Sequence, residues 1–309
     1  MKYSDSFGKR SSKIILGTGY FGDGITEEES FRIMDTYYEL GGRHIDTARL
    51  YADGESEKIV GKWLKDRKPA DIFVSTKGGF YDVDACETPR LNEEDIRFDL
   101  EQSLTALGLD CVDFYWLHRD DESLPVSVIM DYMNALLKEG KFKKFGASNW
   151  TCERIEEANQ YAKENGLIGF SASQIRFNPA YCLGERGGLV GMDAKEFAYY
   201  QKNSMPVAAY SSQAKGFFSK MAEFGESGLS EKARKRYLCE ENIRRTEIIK
   251  QMAEENHCSI ASIVCAVLAS ITQFDVFPII GGRTAEQIAD SMMGADLTLS
   301  TEIFSDLMN

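Results

Sequence analysis

What most constrains this 309-residue chain is a repeated alternation: a short apolar run, then a longer stretch in which apolar residues recur at helical spacing. Short apolar runs bounded by polar residues read as buried strands, and the 3.6-residue periodicity between them reads as amphipathic helix. The strand candidates are Lys13 to Thr18, Arg43 to Asp46, Asp71 to Thr76, Cys111 to Trp116, Phe142 to Ala147, Phe170 to Gln174, Pro206 to Tyr210 and Phe274 to Ile280. The helical stretches are Glu27 to Leu40, Glu55 to Lys65, Glu93 to Leu107, Val126 to Lys138, Cys152 to Glu164 and Asp193 to Asn203, then a pair at Ile243 to Glu255 and Ser259 to Ile271. Thr26 before three glutamates predicts an N-cap with an acidic first turn, and Gly41-Gly42 a left-handed exit. Thr151 and Gly166 repeat that start and stop.

Such units bury their strands only if helices cover both faces of an open sheet or surround a closed one. Eight strands favour closure, so the expected class is α/β, a (β/α)8 TIM barrel with a C-terminal tail helix. No linker rich in Pro, Gly or Ser divides the chain, which predicts one domain over 1–309. Ser211 to Asn242 is long for a plain βα connection and is expected to be a loop with short helices crossing an active-site mouth, against the alternative of a surface insertion.

A formal charge of −13 disfavours a protein built to grip nucleic acid. Cys86, Cys111, Cys152, Cys182, Cys239, Cys258 and Cys265 are odd in number, contain no CxxC pair and have no His-rich companion, so they read as reduced thiols of a cytoplasmic protein without a metal site. The opening apolar run at Ile14 to Leu16 is too brief for a signal h-region, and the longest later one, around Ile260 to Ile271, is broken by Ser262, Cys265 and Ser270 and is short of a membrane span.

Four chemically active residues fall just after successive strand candidates: Asp46 ends RHID, Tyr51 follows in TARLY, Lys77 follows IFVST, and His118 follows VDFYWL. In a barrel these strand ends share one face. A tyrosine hydroxyl donates a proton to an incipient alkoxide more readily when an ammonium lowers the cost of phenolate, and a carboxylate can hold that ammonium. A histidine can hydrogen-bond the carbonyl and orient it. Each residue alone has a plain reading, as a turn cap, a rim aromatic, a loop charge or a backbone partner; their joint placement outweighs it. His44, inside its strand, reads as packing, and His257 lies in a helix connection. Nothing in the set supplies a hydride, so carbonyl reduction needs a nicotinamide cofactor.

The second half offers a platform for one. Ser148, Asn149 and Gln174 bring hydroxyl and amide groups that can pair with a carboxamide. Tyr210 can stack on a nicotinamide, and Ser211 opens a loop able to meet pyrophosphate; strand-end bonding and core packing remain open for Gln174 and Tyr210. In PIIGGRTAEQIADS, Gly281 and Gly282 permit close approach at a helix start, where Arg283 can grip an adenosine 2′-phosphate. There is no Rossmann fingerprint, Walker A, HExxH or G-x-S-x-G motif.

RHIDTARLYADGESEKIVGKWLK, FVSTKGG, LTALGLDCVDFYWLHR, LLKEGKFKKFGASNW, AAYSSQAKGFFSK and IIGGRTAEQIADS, in that order, make the chain resemble the aldo-keto reductase family of (β/α)8 barrels over nearly its whole length. The resemblance implies that Tyr51 is the general acid, assisted by Lys77 and its partner Asp46, while His118 orients the carbonyl. It implies that Ser148, Asn149 and Gln174 hold the carboxamide, that Tyr210 stacks on the ring, and that Ser211 and the following loop meet pyrophosphate. The family usually transfers a hydride from NADPH to aldehydes or ketones without metal, and a monomer acting on a small-molecule carbonyl is expected. Departures bear on the cofactor: Gly281-Gly282 stand where many relatives carry lysine or threonine, Gln287 where some have arginine, Ser291 where an asparagine often holds adenine, and Gln213 in SSQAKG where relatives often read SPL. With Arg283 and Thr284 retained, NADPH/NADP is expected, with NADH tolerated. Tyr20, Phe21, Tyr51, Tyr81, Trp116, Trp150 and Phe217 are candidates for an aromatic mouth suited to a sugar-derived or aromatic carbonyl. The alternatives are a nicotinamide-binding regulatory subunit of the potassium-channel β type and an isomerase or sugar-processing enzyme on the same fold.

Overall fold

The computed structural model describes residues 1–81, 88–184 and 187–299. A hairpin of β1 (Tyr3–Ser4) and β2 (Ser11–Ser12) precedes eight parallel strands: β3 (Ile15–Gly17), β4 (His44–Asp46), β5 (Phe73–Gly78), β6 (Val112–Leu117), β7 (Phe142–Ser148), β8 (Ser173–Arg176), β9 (Val207–Tyr210) and β10 (Val276–Ile280). They close into a barrel, β10 pairing with both β9 and β3. The surrounding helices are α1 (Glu27–Glu39), α2 (Glu55–Arg67), α3 (Glu93–Leu107), α4 (Val126–Lys138), α5 (Cys152–Glu164), α6 (Ala194–Asn203), α7 (Phe217–Phe224), α8 (Glu231–Tyr237), α9 (Glu240–Glu255), α10 (Ile260–Ala269) and α11 (Ala285–Met292). This is the (β/α)8 barrel expected from the alternation. After α11 a short 3-10 turn spans Met293–Ala295; the tail from 300 onward, where a tail helix is expected, and Cys86 lie outside the described residues.

The helix signals have the expected local causes. Thr26 Oγ1 accepts the Glu29 amide at 3.2 Å and Thr151 Oγ1 that of Arg154 at 3.3 Å. Gly41 and Gly166 turn left-handed, with φ of +89° and +66°. The strand expected from Phe170 starts instead at Ser173. Phe170 packs its ring on Phe145 and Trp150, and its amide is taken by the Asn159 side chain at 2.7 Å, so the apolar run begins in the helix layer before the ladder does.

The main core lies between barrel and helices, and a smaller one of Phe7, Ile15, Phe73, Phe114, Trp116, Ala172, Ala208 and Phe277 forms a separate cluster, drawn from the barrel strands, from Ala172 just before β8 and from Phe7 between β1 and β2. Ser211 to Asn242 contains two 3-10 turns, α7, α8 and the start of α9. It is more than a surface insertion: Phe217, Phe218, Leu229 and Tyr237 bury against Ile249, Met252 and Val264 as a second apolar cluster. Its first residues are tied to the loop after β8, where Asn178 Nδ2 donates to the Ser211 carbonyl at 3.0 Å. Among the described residues no helix is long and apolar enough to cross a membrane, and the cysteines are free thiols.

Candidate active site

Period-two alternation places His44 and Asp46 on one face of β4, and Ser75 and Lys77 on one face of β5. The register sets Asp46 opposite Ser75. Lys77 Nζ donates to Asp46 Oδ2 at 2.6 Å, to the Thr47 carbonyl at 2.7 Å and to the Tyr51 hydroxyl at 3.2 Å. Burial alone would lower the Lys77 pKa; the adjacent Asp46 carboxylate and Tyr51 outweigh it and hold the ammonium above its usual value. The Tyr51 and His118 rings meet edge to face at 6.0 Å, and Phe80 covers His118 at 4.9 Å. His118 is held well below the usual imidazole range by burial, then by the charges of Lys77 and Arg119, so it is neutral. Its Nδ1 is buried without a hydrogen-bond partner.

Behind these four runs a chain of polar groups that sequence reasoning missed. Ser75 Oγ donates to Asp46 Oδ1 at 2.6 Å, His44 Nε2 lies 2.9 Å from Ser75 Oγ, and Ser11 Oγ lies 2.8 Å from His44 Nδ1. Because the Ser75 proton goes to the carboxylate, His44 must offer Nε2–H to Ser75 and accept at Nδ1. Burial, with Lys77 and Lys9, holds His44 neutral as this tautomer requires. His44 is therefore more than packing. The signal was present in the i, i+2 spacing of His44 with Asp46 and of Ser75 with Lys77.

The second-half residues line up along the same strand ends. Asn149, at φ +60°, accepts from the Tyr210 hydroxyl at 2.7 Å and donates to the His118 carbonyl at 3.3 Å and the Ser148 hydroxyl at 3.2 Å. Gln174 Nε2 approaches both Asp46 oxygens at 3.4 Å. Burial pushes the Tyr210 phenol up to about 12, opposed by Arg176, Arg119 and Arg236. Ser211, Ala214 and Lys215 all carry positive φ, as do Ala52 and Asp53 just after Tyr51. Non-glycine residues held left-handed cost about 1 kcal/mol or more each and cluster at functional sites.

At the far end, Gln213 Nε2 donates to Ser291 Oγ at 2.9 Å, Ser291 Oγ donates to the Gln287 carbonyl at 2.9 Å, and Gln287 Oε1 accepts the Arg283 amide at 2.8 Å. Thr284 caps α11 through the Gln287 amide. A Cβ on Gly281 would meet only the Gly17 carbonyl among the described residues, at an ordinary contact of 3.9 Å, while Gly282 lies beneath Gln287. The Arg283 guanidinium sits 5.8 Å from the Tyr20 ring centroid. The aromatic mouth is smaller than expected. Trp116 is inside the barrel, Trp150 is in the helix layer, and Phe21 and Phe217 are buried in the two larger cores, because the faces they occupy look away from the opening. Tyr20, Tyr51 and Tyr81 retain exposure.

The family model described as Aldo/keto reductase family matches residues 13–308. Norsolorinic acid reductase A of Aspergillus parasiticus is 30% identical over 314 residues, which cover 97% of this chain and 77% of that protein. A putative aryl-alcohol dehydrogenase of Saccharomyces cerevisiae is 27% identical over 323 residues, with 97% and 83% covered. Among solved structures, a thermostable aldo-keto reductase in complex with the inhibitor epalrestat shares the fold, with a TM-score of 0.76 at 22% identity over 100% of this chain and 99% of that one.

Proposed function

The chain belongs to the aldo/keto reductase family of oxidoreductases, and from that premise we propose that it reduces an aldehyde or ketone to an alcohol with NADPH, as one barrel domain over 1–309. The residues present suit a nicotinamide dinucleotide: an amide and hydroxyl set at Ser148, Asn149 and Gln174, a half-buried neutral phenol at Tyr210, a left-handed loop from Ser211, and Arg283 at the start of α11. Bound there, the reduced nicotinamide would supply a hydride to the carbonyl carbon.

The chain's own part is to hold the carbonyl and protonate its oxygen. Tyr51 is the donor, since the phenolate left behind faces the Lys77 ammonium. Asp46 and the Thr47 carbonyl keep that ammonium charged and aimed. Neutral His118 offers Nε2–H to the carbonyl oxygen, because an orphaned lone pair at Nδ1 costs less than an orphaned N–H. Ser148, Asn149 and Gln174 hold the carboxamide, and Tyr210 takes the ring. Ser211 and Gln213 approach the pyrophosphate, while Gly281, Gly282, Arg283, Thr284, Gln287 and Ser291 surround the adenosine end.

The observation that carries this reading is a fully buried ammonium 2.6 Å from Asp46 and 3.2 Å from Tyr51, with a neutral imidazole beside the phenol. A fluorescence titration with NADPH and NADH tests it, followed by a carbonyl panel monitored by cofactor oxidation. Saturable NADPH binding with turnover supports the reductase. Binding without turnover of any carbonyl would make it a nicotinamide-binding regulatory subunit, and binding of neither cofactor would return another barrel enzyme.

A further inference from the structure

Arg119 follows His118 at the end of β6 and is only 9% exposed, yet it pairs with no carboxylate among the described residues of a chain that has 49 acidic residues. Buried charges in proteins are normally paired, because an ion removed from water loses its hydration. Among the described residues, what surrounds this one is neutral. Its guanidinium carbon lies 5.0 Å from the Phe80 ring centroid and 5.8 Å from that of Tyr81, and Nη1 donates to the Gly188 carbonyl. Aromatic faces and a carbonyl offset part of the desolvation but leave the charge unmatched. Nε is buried with no partner.

The surroundings also bring a second donor to the same corner. Gly188, at φ +68°, has no side chain; a Cβ there would lie 3.3 Å from Arg119 Nη1 and 3.4 Å from the Tyr81 hydroxyl. Two donors thus converge on one corner, built from the loops after β5 and β8 and adjoining the residue next to His118. Burial lowers the Arg119 pKa, and among the described residues the groups acting the other way are the phenols of Tyr210 and Tyr81, not a carboxylate. The cofactor phosphates belong, on the proposed function, to Ser211 and to Arg283 on the β9 and β10 side. Among the described residues no anion is left for Arg119, and the substrate is the remaining source of the charge.

We propose that Arg119, with Tyr81, anchors a carboxylate on the substrate, so that the preferred substrate is an aldehyde or ketone that carries a carboxylate. The proposal rests on the reductase reading for the carbonyl and on the Arg119 corner for the acid. A planar guanidinium suits a carboxylate through paired N–H donors, which an ammonium at the same place would not reproduce.

The test compares 4-carboxybenzaldehyde with 4-methylbenzaldehyde, similar in shape and different in charge. Wild type is expected to favour the acid in kcat/KM by roughly 10- to 100-fold, and Arg119→Gln to erase most of that ratio, with Arg119→Lys between them. An equal loss on both aldehydes in Arg119→Gln would make Arg119 only a latch between two loops and overturn the anchor. A stronger preference for 4-formylphenyl phosphate would overturn the carboxylate in favour of a phosphate. Isothermal titration with 4-methylbenzoate and 4-methylbenzamide needs no turnover. Benzoate binding that is lost in Arg119→Gln upholds the anchor even if no carbonyl is reduced, whereas benzoate binding no tighter than benzamide in wild type overturns it even in an active reductase.

Discussion

Tyr51 differs from the other phenols of the chain in facing a locked ammonium, and its removal separates chemistry from binding. Tyr51→Phe keeps the ring and deletes the proton, so carbonyl reduction should fall by about 10²- to 10⁴-fold while NADPH titrates as in wild type; near-normal turnover in steady-state assays would remove Tyr51 from the acid role. The buried histidines next to it make a second prediction. Burial first, then Lys77 with Lys9 at His44 and with Arg119 at His118, holds both folded pKa values well below 6.5. Unfolded, each takes its proton near pH 6.5, so as pH falls below that value the unfolded state binds more protons and stability is lost, at about 1.4 kcal/mol per pH unit per histidine. Asp120, pushed up to about 6 by burial, and Glu57, also raised by burial, take protons first in the folded state and oppose this trend. The share of one histidine is therefore read as a difference: between pH 6.5 and 5.5 the urea-derived stability of His44→Gln should fall less steeply than that of wild type. Parallel slopes would mean that His44 is protonated in the fold.

Among the elements, α11 and the loop after β9 act together, since Gln213, Ser291 and Gln287 link that loop to the turn that presents Arg283. Arg283→Ala should weaken NADPH by roughly tenfold or more and NADH little, the difference being one charge-assisted phosphate contact. Equal weakening of both cofactors in fluorescence titrations would take Arg283 away from the 2′-phosphate. The helices and the strand ends that bear these residues were legible because caps such as Thr26 and Thr151 and the period-two runs are local signals. Which face of a strand looks inward is not local. Trp116 packs on Phe7 and Phe114 inside the barrel, while its neighbour Tyr115 stacks with Phe142 in the helix layer. Either assignment suits VDFYWL until closure decides, so Trp116 reads from sequence as a mouth aromatic. Arg119 escaped for a related reason: a charge after a strand reads as solvated, and its burial comes from Phe80, Tyr81 and Gly188 on two other loops.

The whole molecule depends on filling a closed barrel, and the β1–β2 hairpin supplies what its strands do not. Gly146 of β7, with Ala172 before β8 and Ala208 of β9, makes one side of the barrel small, and a Cβ on Gly146 would lie 2.7 Å from the Trp116 ring and 2.5 Å from the Ala172 carbonyl. Large rings from Phe73, Phe114, Trp116 and Phe277 fill across to that side, the tapered packing a closed barrel requires. Phe7 joins this cluster from the hairpin, with its ring 4.6 Å from Phe277, 5.3 Å from His44 and 5.4 Å from Phe114. The hairpin has two residues in each strand and two aromatics, Tyr3 and Phe7, in a polar stretch, too little periodicity to show in sequence. Its ring nevertheless closes an interior that also carries the Ser11–His44–Ser75–Asp46 chain. Phe7→Ala should therefore cost about 3–5 kcal/mol in urea unfolding, the range for a fully buried aromatic, with an unchanged m-value. Phe7→Leu, which keeps most of the volume, should recover the larger part. A cost below about 1 kcal/mol for Phe7→Ala would mean that the barrel interior is sealed by its own strands and that the hairpin is an accessory to it.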